Sequence, residues 1–384
     1  MTHIKQAFVD SSQVDSDLAA ALDKAGIDYV VQDDVTIKKH YRSGKKNLVV
    51  VDKKGEALDT CATISDKYIC CNVKVLKSIS NCPYDCSYCF LQNYLNDGNT
   101  KVVGDDKALI DEVKEACIKE PNRLFRIGTW ELGDSLALER ETGQAQRLIH
   151  AFRDIPNAVL ELKTKSDIVE PILACDHQQK TVVSWSLNAH TIVEKQEHKT
   201  ARLQERLQAL KKVTDAGYLV GLHIDPMIYF DGWETDYEAL VRQMINATNP
   251  QQIAWISLGS LRFNPEMKKK IEINFPASDI TYTEMIRGDD GKMRYPKPLR
   301  MRMYRHVMTV LMDALGCDDL SPQTSFDKPL FYFCMERWDV WEDLLGSSPT
   351  SIQDLDFLFA MSLQQRFFQN LPVPDKSYYL TGAI

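Results

Sequence analysis

From residue 72 onward, short apolar or β-branched runs alternate with longer amphipathic stretches. The short runs predict strands at Val73–Ile79, Phe125–Thr129, Val159–Lys163, Val182–Leu187, Leu219–Ile224 and Ile253–Leu258. The longer stretches predict helices at Asp105–Ile118, Thr142–Phe152, Ile168–Ala174, Ala201–Ala216, Asp236–Ala247 and Met301–Leu315. Strands alternating with helices imply a parallel sheet, and right-handed crossovers would curl six such units into a partial (βα)6 TIM-type barrel of the α/β class. Reactive groups in such barrels gather at the C-terminal ends of the strands.

The segments on either side of this alternation predict additional units. A helix at Ser16–Ala25 and strands at Ile27–Val31 and Leu48–Val51 suggest an N-terminal accessory α/β unit over residues 1–68. The barrel would then occupy residues 69–320. A strand at Leu330–Cys334 and a helix at Ile352–Gln369 form a C-terminal extension over residues 321–384. Residues 261–300 interrupt the alternation and are expected to form a loop or hairpin, with a turn at Asp289-Asp290-Gly291.

The overall charge argues against a general nucleic-acid binder. The chain has 46 Lys and Arg against 54 Asp and Glu, a net charge of −8, whereas phosphate neutralisation requires an excess of cations. Two local stretches are basic nevertheless, residues 37–46 and residues 287–305. The N-terminus lacks the pattern of a secretory signal, and no apolar run is long enough to cross a bilayer, so a cytoplasmic protein without a membrane partner is expected.

Ten cysteines in a chain expected in the cytosol argue against a disulfide framework. Three of them have the spacing Cys82-x3-Cys86-x2-Cys89, on a loop directly after the first predicted barrel strand. Three thiolates can hold three irons of a [4Fe–4S] cluster and leave the fourth iron open to a substrate. The alternatives are three unrelated thiols, or a zinc site completed by Cys70, Cys71 or His40.

The sequence around the triplet resembles a known family. A CxxxCxxC loop after the first strand of a six-fold βα barrel resembles the radical SAM superfamily, and CPYDCSYCFLQ resembles the corresponding loop of the spore photoproduct lyase family. The similarity continues through LKTKSDIV, SWSLNAH, DAGYLVGLHIDPM and DGWETDY, and covers roughly residues 72–300.

This resemblance implies a radical SAM lyase with a [4Fe–4S] cluster and S-adenosylmethionine. The reaction would be reductive cleavage of S-adenosylmethionine to a 5′-deoxyadenosyl radical, used for DNA repair at a thymine lesion. The partners implied are double-stranded DNA, met by residues 287–305 with the aromatic side chains of Tyr282, Tyr295 and Tyr304, and an electron donor such as flavodoxin or ferredoxin.

The resemblance also implies individual ligands of S-adenosylmethionine. Lys165 would approach its carboxylate, and Ser186 and Asn188, which alternate along one strand and so share a face, would hydrogen-bond to it. Glu131 at the end of the second strand would bind its ribose or amino group. Asp225 is expected to line the pocket, whereas His223 is interpreted as a buried structural histidine.

The sequence departs from the family at the radical relay. The family has a tyrosine directly after the third cluster cysteine and a cysteine hydrogen donor shortly after the second strand. Here Phe90 replaces the tyrosine, Tyr88 matches the tyrosine before that cysteine, and Asp134 or a neighbour occupies the donor position. Cys334 is the candidate replacement donor, and Tyr88 and Asp134 are the other candidate catalytic residues. Two alternatives stay open: a radical SAM enzyme acting on a nucleotide, a peptide or a small metabolite, and a non-enzymatic metal-binding module. The sequence assigns no role to Cys70 or Cys71 and no oligomeric state.

Overall fold

The computed structural model describes residues 4–36, 42–61 and 67–381. Its strands are, in chain order, β1 (Gln6–Val9), β2 (Tyr29–Val31), β3 (Asn47–Val51), β4 (Leu58–Thr60), β5 (Lys74–Leu76), β6 (Ile79–Ser80), β7 (Asp85–Cys86), β8 (Thr100–Val103), β9 (Phe125–Gly128), β10 (Ala158–Thr164), β11 (Thr181–Ser186), β12 (Glu197–His198), β13 (Leu219–Met227), β14 (Ile253–Ser260), β15 (Arg262–Phe263), β16 (Ile286–Arg287), β17 (Met293–Arg294) and β18 (Leu330–Phe333).

The helices alternate with these strands through most of the chain. They are α1 (Asp17–Lys24), α2 (Leu91–Tyr94), α3 (Asp106–Lys119), α4 (Glu139–Thr142), α5 (Gln144–Arg153), α6 (His190–Gln196), α7 (Leu203–Asp215), α8 (Trp233–Asn246), α9 (Pro265–Asn274), α10 (Lys297–Leu315), α11 (Trp338–Leu345), α12 (Ile352–Arg366) and α13 (Lys376–Thr381).

The main sheet confirms the predicted partial barrel. Its strand order is β18-β14-β13-β11-β10-β9-β5-β4, in which every pairing is parallel except that of β4 with β5. The sheet curls strongly. Arg126 on β9 and Trp255 on β14 are separated by three strands, yet the Arg126 guanidinium lies 4.7 Å from the centre of the Trp255 ring. The C-terminal strand β18 extends the six predicted strands to seven parallel ones.

The accessory unit forms a second sheet, in the order β2-β1-β3-β8-β6. It joins strands from the first sixty residues to β6 and β8, which come after the first barrel strand. The antiparallel edge strand β4 of the main sheet, in turn, comes from the N-terminal segment, and β18 comes from the C-terminal one. The boundaries predicted at residues 68 and 320 therefore do not follow the two sheets.

Several predicted elements differ in detail. The strand predicted over Val73–Ile79 divides into β5 and β6, which belong to different sheets, because the chain turns at Lys77 and Ser78. The helix predicted over Ile168–Ala174 is only a 3-10 turn at Glu170–Ile172, since Pro171 has no N–H to donate. Within residues 261–300, the expected hairpin exists as β16 and β17 around Gly291, but α9 in the same stretch is not predicted.

A buried network of charges fills the barrel interior. The Glu161 carboxylate is fully buried and lies 3.2 Å from Arg126 Nε, and it also accepts a hydrogen bond of 2.9 Å from Ser184 Oγ. His223 Nε2 lies 3.1 Å from the same carboxylate. Although burial opposes ionisation, Arg126 and His223 hold the pKa of Glu161 well below its ordinary value. Burial lowers the pKa of His223 to about 4, so this imidazole is neutral near pH 7.

No helix in the described parts of the chain is both long enough and apolar enough to span a membrane.

The substitution Glu161→Gln is expected to lower the free energy of unfolding by about 3–5 kcal/mol, because it removes the carboxylate paired with the buried Arg126 guanidinium and leaves that charge less well compensated. The matched control is Asp215→Asn, which removes the exposed ion pair between Lys211 and Asp215 and should cost less than about 1 kcal/mol. Urea unfolding monitored by circular dichroism measures both changes, and equal losses would contradict the structural role assigned to Glu161.

Candidate active site

A cavity of about 480 Å³ opens at the C-terminal ends of the barrel strands and reaches into the barrel. Two groups of cysteines line it. The first is the predicted triplet of Cys82, Cys86 and Cys89, and the second comprises Cys61, Cys70, Cys71 and Cys334. The lining side chains with other polar or charged groups include Tyr84, Tyr88, Glu131, Asp134, Lys163, Lys165, Ser186, His223, Asp225, Arg262, Lys292 and Tyr332.

The triplet loop is fixed at both ends by hydrogen bonds. Asn81, which has a left-handed backbone conformation with φ of 70°, accepts from Cys82 N at 2.9 Å and donates to Gly98 O at 2.8 Å. In the middle of the loop, β7 pairs with β12, so Cys86 lies in register with Glu197. Beyond the loop, the Gln92 amide donates to the backbone carbonyls of Ser87 and Cys89. The loop is therefore held in shape by the chain's own polar groups.

Asp85, between the first two cysteines of the triplet, is fully buried among cations. Its carboxylate lies 2.7 Å from Arg42, 3.2 Å from Lys199 and 3.9 Å from Lys45. Burial raises the pKa of Asp85, but these three cations outweigh burial and keep it below its ordinary value. The carboxylate therefore stays ionised and binds the cysteine loop to both the accessory unit and the barrel.

Tyr88, predicted as a catalytic residue, hydrogen-bonds through its hydroxyl to the Glu197 carboxylate. Glu197 is buried and also lies 2.6 Å from Arg206 and 3.9 Å from Lys165 Nζ. Burial raises the pKa of the Tyr88 phenol well above its usual range, so the hydroxyl keeps its proton. Glu197 thus connects the cysteine loop to Lys165 at the end of β10.

The three thiols of the triplet differ in exposure: Cys86 is buried, whereas Cys82 and Cys89 are partly exposed. Burial raises the pKa of Cys86 to about 12 and that of Cys82 well above its usual range. Both thiols must lose a proton to bind a metal, so metal binding is coupled to proton release.

The donor set fits an iron–sulfur cluster better than a single ion. Within residues 4–36, 42–61 and 67–381, no three His, Cys, Asp or Glu side chains converge closely enough to hold one metal ion. The zinc alternative finds no support there, and His40 lies outside the described residues. A [4Fe–4S] cluster places its thiolates on different irons and does not require them to converge on one point.

Lys165 lies where a strand-end cation was predicted, with its Nζ 5.7 Å from the centre of the Tyr88 ring. Asp134 fixes this strand end. Its carboxylate accepts from Lys165 N at 2.7 Å, from Thr164 Oγ1 at 2.7 Å and from the backbone N–H groups of Leu136 and Ala137. Asp134 therefore lines the cavity while its carboxylate is engaged in four hydrogen bonds within its own chain.

Ser186 and Asn188 are placed differently, although they were predicted to act together. Ser186 at the end of β11 lines the cavity. Asn188 is 1% exposed, and its amide donates to Pro226 O at 2.8 Å while its oxygen accepts from Tyr237 Oη at 2.7 Å. The Asn188 side chain therefore joins the ends of β11 and β13.

Glu131, another predicted ligand of S-adenosylmethionine, lines the cavity and accepts a hydrogen bond of 3.1 Å from Cys61 Sγ. Cys70 hydrogen-bonds through its side chain to both Cys61 and Cys71. Cys71 Sγ in turn accepts from Arg126 Nη2 at 3.3 Å. Three thiols therefore form a continuous chain between an acidic side chain and a buried guanidinium.

Cys334, the predicted hydrogen donor, follows β18 and lines the same cavity. Its sulfur lies 3.6 Å from Arg262 Nη2, and Arg262 Nη1 lies 2.9 Å from Asp225 Oδ1. Burial raises the pKa of Cys334 far above its usual range, so the group is a thiol at neutral pH.

Asp225 lines the pocket as expected, and His223 is buried against Glu161 and Trp255.

The basic stretch 287–305 is not a continuous cationic surface. Arg294 is buried and paired with Asp290 at 2.6 Å, and Arg300 is buried and paired with Glu336 at 2.8 Å. Lys292, by contrast, lines the cavity. Of the other basic stretch, residues 37–41 lie outside the described residues.

Sequence analysis missed Glu197, Arg206 and the thiol chain of Cys61, Cys70 and Cys71. Glu197 and Arg206 lie in segments with no recognisable spacing, and only the folded barrel brings them to the cysteine loop. The adjacent cysteines 70 and 71 were an available signal, but nothing in the sequence relates them to Cys61 or Arg126.

Comparison with known proteins identifies the family. The family model described as spore photoproduct lyase matches residues 28–308. The spore photoproduct lyase of Clostridium acetobutylicum is 24% identical over 240 residues, covering 62% of this chain and 68% of that protein. The spore photoproduct lyase of Bacillus subtilis is 24% identical over 261 residues, covering 67% of this chain and 72% of that protein.

Solved structures show the same fold. A spore photoproduct lyase complexed with dinucleoside spore photoproduct, and a variant with bound AdoMet and the same dinucleoside, each superpose with a TM-score of 0.72 at 18% identity. Each match covers 86% of this chain and 98% of the other. These structural matches confirm the predicted fold, and the family match over residues 28–308 confirms the predicted radical SAM class, with its [4Fe–4S] cluster and S-adenosylmethionine. Since the family model spans well over half of its length, the chain belongs to the spore photoproduct lyase family.

Proposed function

We propose that this protein is a radical SAM lyase that reverses a spore-type thymine lesion in DNA. The observation that carries the proposal is the cavity, which is lined both by the cysteine triplet and by strand-end polar groups of the barrel. Relatives over most of the chain are named spore photoproduct lyase, and a solved relative of the same fold holds dinucleoside spore photoproduct. A DNA substrate would place the protein in the cytoplasm.

In this proposal, Cys82, Cys86 and Cys89 hold the cluster, and Lys165, Ser186 and Glu131 bind S-adenosylmethionine. When bound, the two cofactors supply a reductive cleavage that yields a 5′-deoxyadenosyl radical. The Lys165 ammonium, close to Tyr88 and Glu197, is available for a charge-assisted hydrogen bond to the ligand carboxylate. Asp134 and Asn188 act through the backbone, by fixing the strand ends that carry Lys165 and Ser186.

Cys334 is the proposed donor of the hydrogen atom that completes repair. Its protonated thiol faces the cavity, and Arg262 and Asp225 hold its surroundings in place. The S–H bond breaks as a C–H bond forms on the thymine product. Phe90, which cannot carry a hydrogen atom, is 40% exposed beside Cys89 and offers an apolar ring surface at the cavity.

A second candidate function is radical chemistry on a different substrate, such as a nucleotide, a peptide or a small metabolite. It is favoured by the absence of the family's tyrosine and cysteine relay at Phe90 and Asp134. The two candidates share the cofactors and differ in the substrate that fills the cavity.

The substitution Cys86→Ala is expected to abolish iron uptake in a [4Fe–4S] cluster, because only two ligands of the triplet remain. Anaerobic reconstitution followed by iron analysis and visible absorption measures this change. The matched control is Cys317→Ala, which removes a partly buried cysteine that does not line the cavity. Full cluster content in Cys86→Ala would overturn the assignment of the triplet.

Turnover on a dinucleotide carrying the spore-type lesion should release the repaired thymine pair together with 5′-deoxyadenosine. In Cys334→Ala, formation of 5′-deoxyadenosine should continue while repaired product falls by at least tenfold, because the product radical loses its donor. Chromatography with mass detection measures both products. Production of 5′-deoxyadenosine without any repair by the unmodified chain would favour the second candidate function.

Recognition of DNA through residues 287–305 is also part of the proposal, and Lys292 at the cavity is its best-placed cation. The substitution Lys292→Gln should weaken binding of a lesion-containing duplex several-fold and flatten its salt dependence, since one phosphate contact is lost. Lys114→Gln, which changes an exposed lysine of α3 outside this stretch that does not line the cavity, is the control. Fluorescence anisotropy at several salt concentrations tests this, and identical salt slopes for both variants would contradict the role of Lys292.

A further inference from the structure

The barrel holds a second set of thiols that the proposed chemistry does not use. Cys61, Cys70 and Cys71 are each less than 9% exposed, yet all three line the cavity. They come from the segment between β4 and β5, whereas the cluster triplet lies on the loop after β6. They are therefore a separate group of sulfur atoms facing the space in which a radical would form.

The polar neighbours of these thiols set their protonation. Cys71 Sγ accepts from the Arg126 guanidinium at 3.3 Å, and Cys70 hydrogen-bonds to both of its thiol neighbours. The Cys70 hydrogen bond and, to a smaller extent, the Arg126 guanidinium together lower the pKa of Cys71 to about 6 against the opposing effect of burial. The hydrogen bonds to Cys61 and Cys71 raise the pKa of Cys70 well above its usual range. Cys70 is thus a thiol and Cys71 a thiolate at neutral pH.

We propose that Cys70 and Cys71 form a redox-active pair that quenches the radical left in the cavity and ends as a disulfide. The inference rests on the proposed radical chemistry and adds to it a thiol pair with a defined fate. Cys70 gives its hydrogen atom to the Cys334 sulfur radical that is left when Cys334 has completed repair. The Cys334 S–H bond forms again as the Cys70 S–H bond breaks, and the unpaired electron moves to the Cys70 sulfur.

The thiolate next to this sulfur completes the step. The Cys70 sulfur radical bonds to the Cys71 thiolate and gives a disulfide radical anion. The cluster that Cys82, Cys86 and Cys89 would hold would supply the acceptor for its extra electron, since reductive cleavage of S-adenosylmethionine would leave that cluster oxidised. The balance per turnover is one S-adenosylmethionine and one Cys70–Cys71 dithiol consumed, and one methionine, one 5′-deoxyadenosine and one disulfide formed. A cellular or added dithiol then restores the pair by thiol–disulfide exchange.

The Arg126 guanidinium stabilises the Cys71 thiolate. This guanidinium is buried over the ring of Phe359, 4.2 Å from the ring centre, and it also faces Glu161 at 3.2 Å. The cation can therefore hold a buried thiolate, although the Glu161 carboxylate acts against it by raising the pKa of Cys71. The thiolate is thus available to bond to the neighbouring Cys70 sulfur once that sulfur has lost its hydrogen atom.

The test uses the full chain with its cluster, S-adenosylmethionine, reduced flavodoxin and the dinucleotide carrying the spore-type lesion, with no added thiol. Trypsin releases Cys70 and Cys71 together in the peptide YICCNVK, residues 68–74, and Cys61 in a different peptide. After turnover, alkylation and mass spectrometry should show a YICCNVK peptide that has lost two hydrogen atoms and takes up no alkyl group. Its amount should match the 5′-deoxyadenosine formed, about one to one, and a dithiol should reverse it.

Cys70→Ser should abolish this oxidised peptide, whereas Cys117→Ser should leave it unchanged, because Cys117 is a buried thiol that does not line the cavity. Formation of 5′-deoxyadenosine with YICCNVK fully reduced would overturn the proposal. So would a disulfide joining Cys61 to another cysteine in its place.

A second measurement on the protein without cofactors separates this proposal from the proposed function. Iodoacetamide labelling of Cys71 should rise as the pH passes through about 6, and labelling of Cys117, whose pKa burial raises to about 12, should not rise below pH 9. Labelling of Cys71 that begins only above pH 8 would overturn the thiolate, and with it the pair, whatever the cofactor assays show. Absence of 5′-deoxyadenosine in the loaded protein, together with a labelled Cys71 thiolate, would count against the proposed function alone.

Discussion

The site depends on one buried carboxylate, that of Glu197. It accepts a hydrogen bond from the Tyr88 hydroxyl of the cysteine loop. It also pairs with the Arg206 guanidinium of α7 and lies 3.9 Å from the Nζ of Lys165, which directly follows β10. Burial of this group would be costly without partners, and these partners supply both the counter-charge and the hydrogen bonds. Because the backbone at Glu197 also pairs with Cys86, the same residue fixes the loop's main chain and its side chains. The cysteine loop is thereby part of the barrel.

The parts of the fold that depend on local pattern could be predicted from the sequence. β9, β10, β11, β13 and β14 each contain a run of buried, mostly apolar residues, which is the signature of a parallel sheet covered on both faces. The position of β18 could not be predicted in the same way, because a strand pattern does not say which edge it joins. Helix α9 was missed because its lysine-rich sequence has only two buried residues, Met267 and Ile271, and therefore little periodicity.

The sequence predicted those site residues whose spacing within one short segment indicates their chemistry. It did not predict the residues that only folding brings together. The spacing of Cys82, Cys86 and Cys89 implies a shared metal centre on one loop, and all three line the cavity. Ser186 and Asn188 show the limit of such reasoning. They alternate along the chain, yet of the two only Ser186 lines the cavity, because the Asn188 side chain is hydrogen-bonded to Pro226 and Tyr237. The contact between Cys71 and Arg126 spans 55 positions and has no counterpart in any short motif.

The seventh parallel strand has a consequence for the order in which the molecule is made. β18 and Cys334 come from the last sixth of the chain, and α12 and α13 beyond them pack on the barrel through contacts such as those of Phe359 with Trp255 and of Tyr379 with Leu124. The cysteine triplet is therefore synthesised some 240 residues before the strand that completes the cavity wall. A nascent chain can expose its triplet long before that wall exists, so cluster loading on an unfinished protein would place a reactive centre in an open barrel. Synthesis of the closing strand is the step that encloses it.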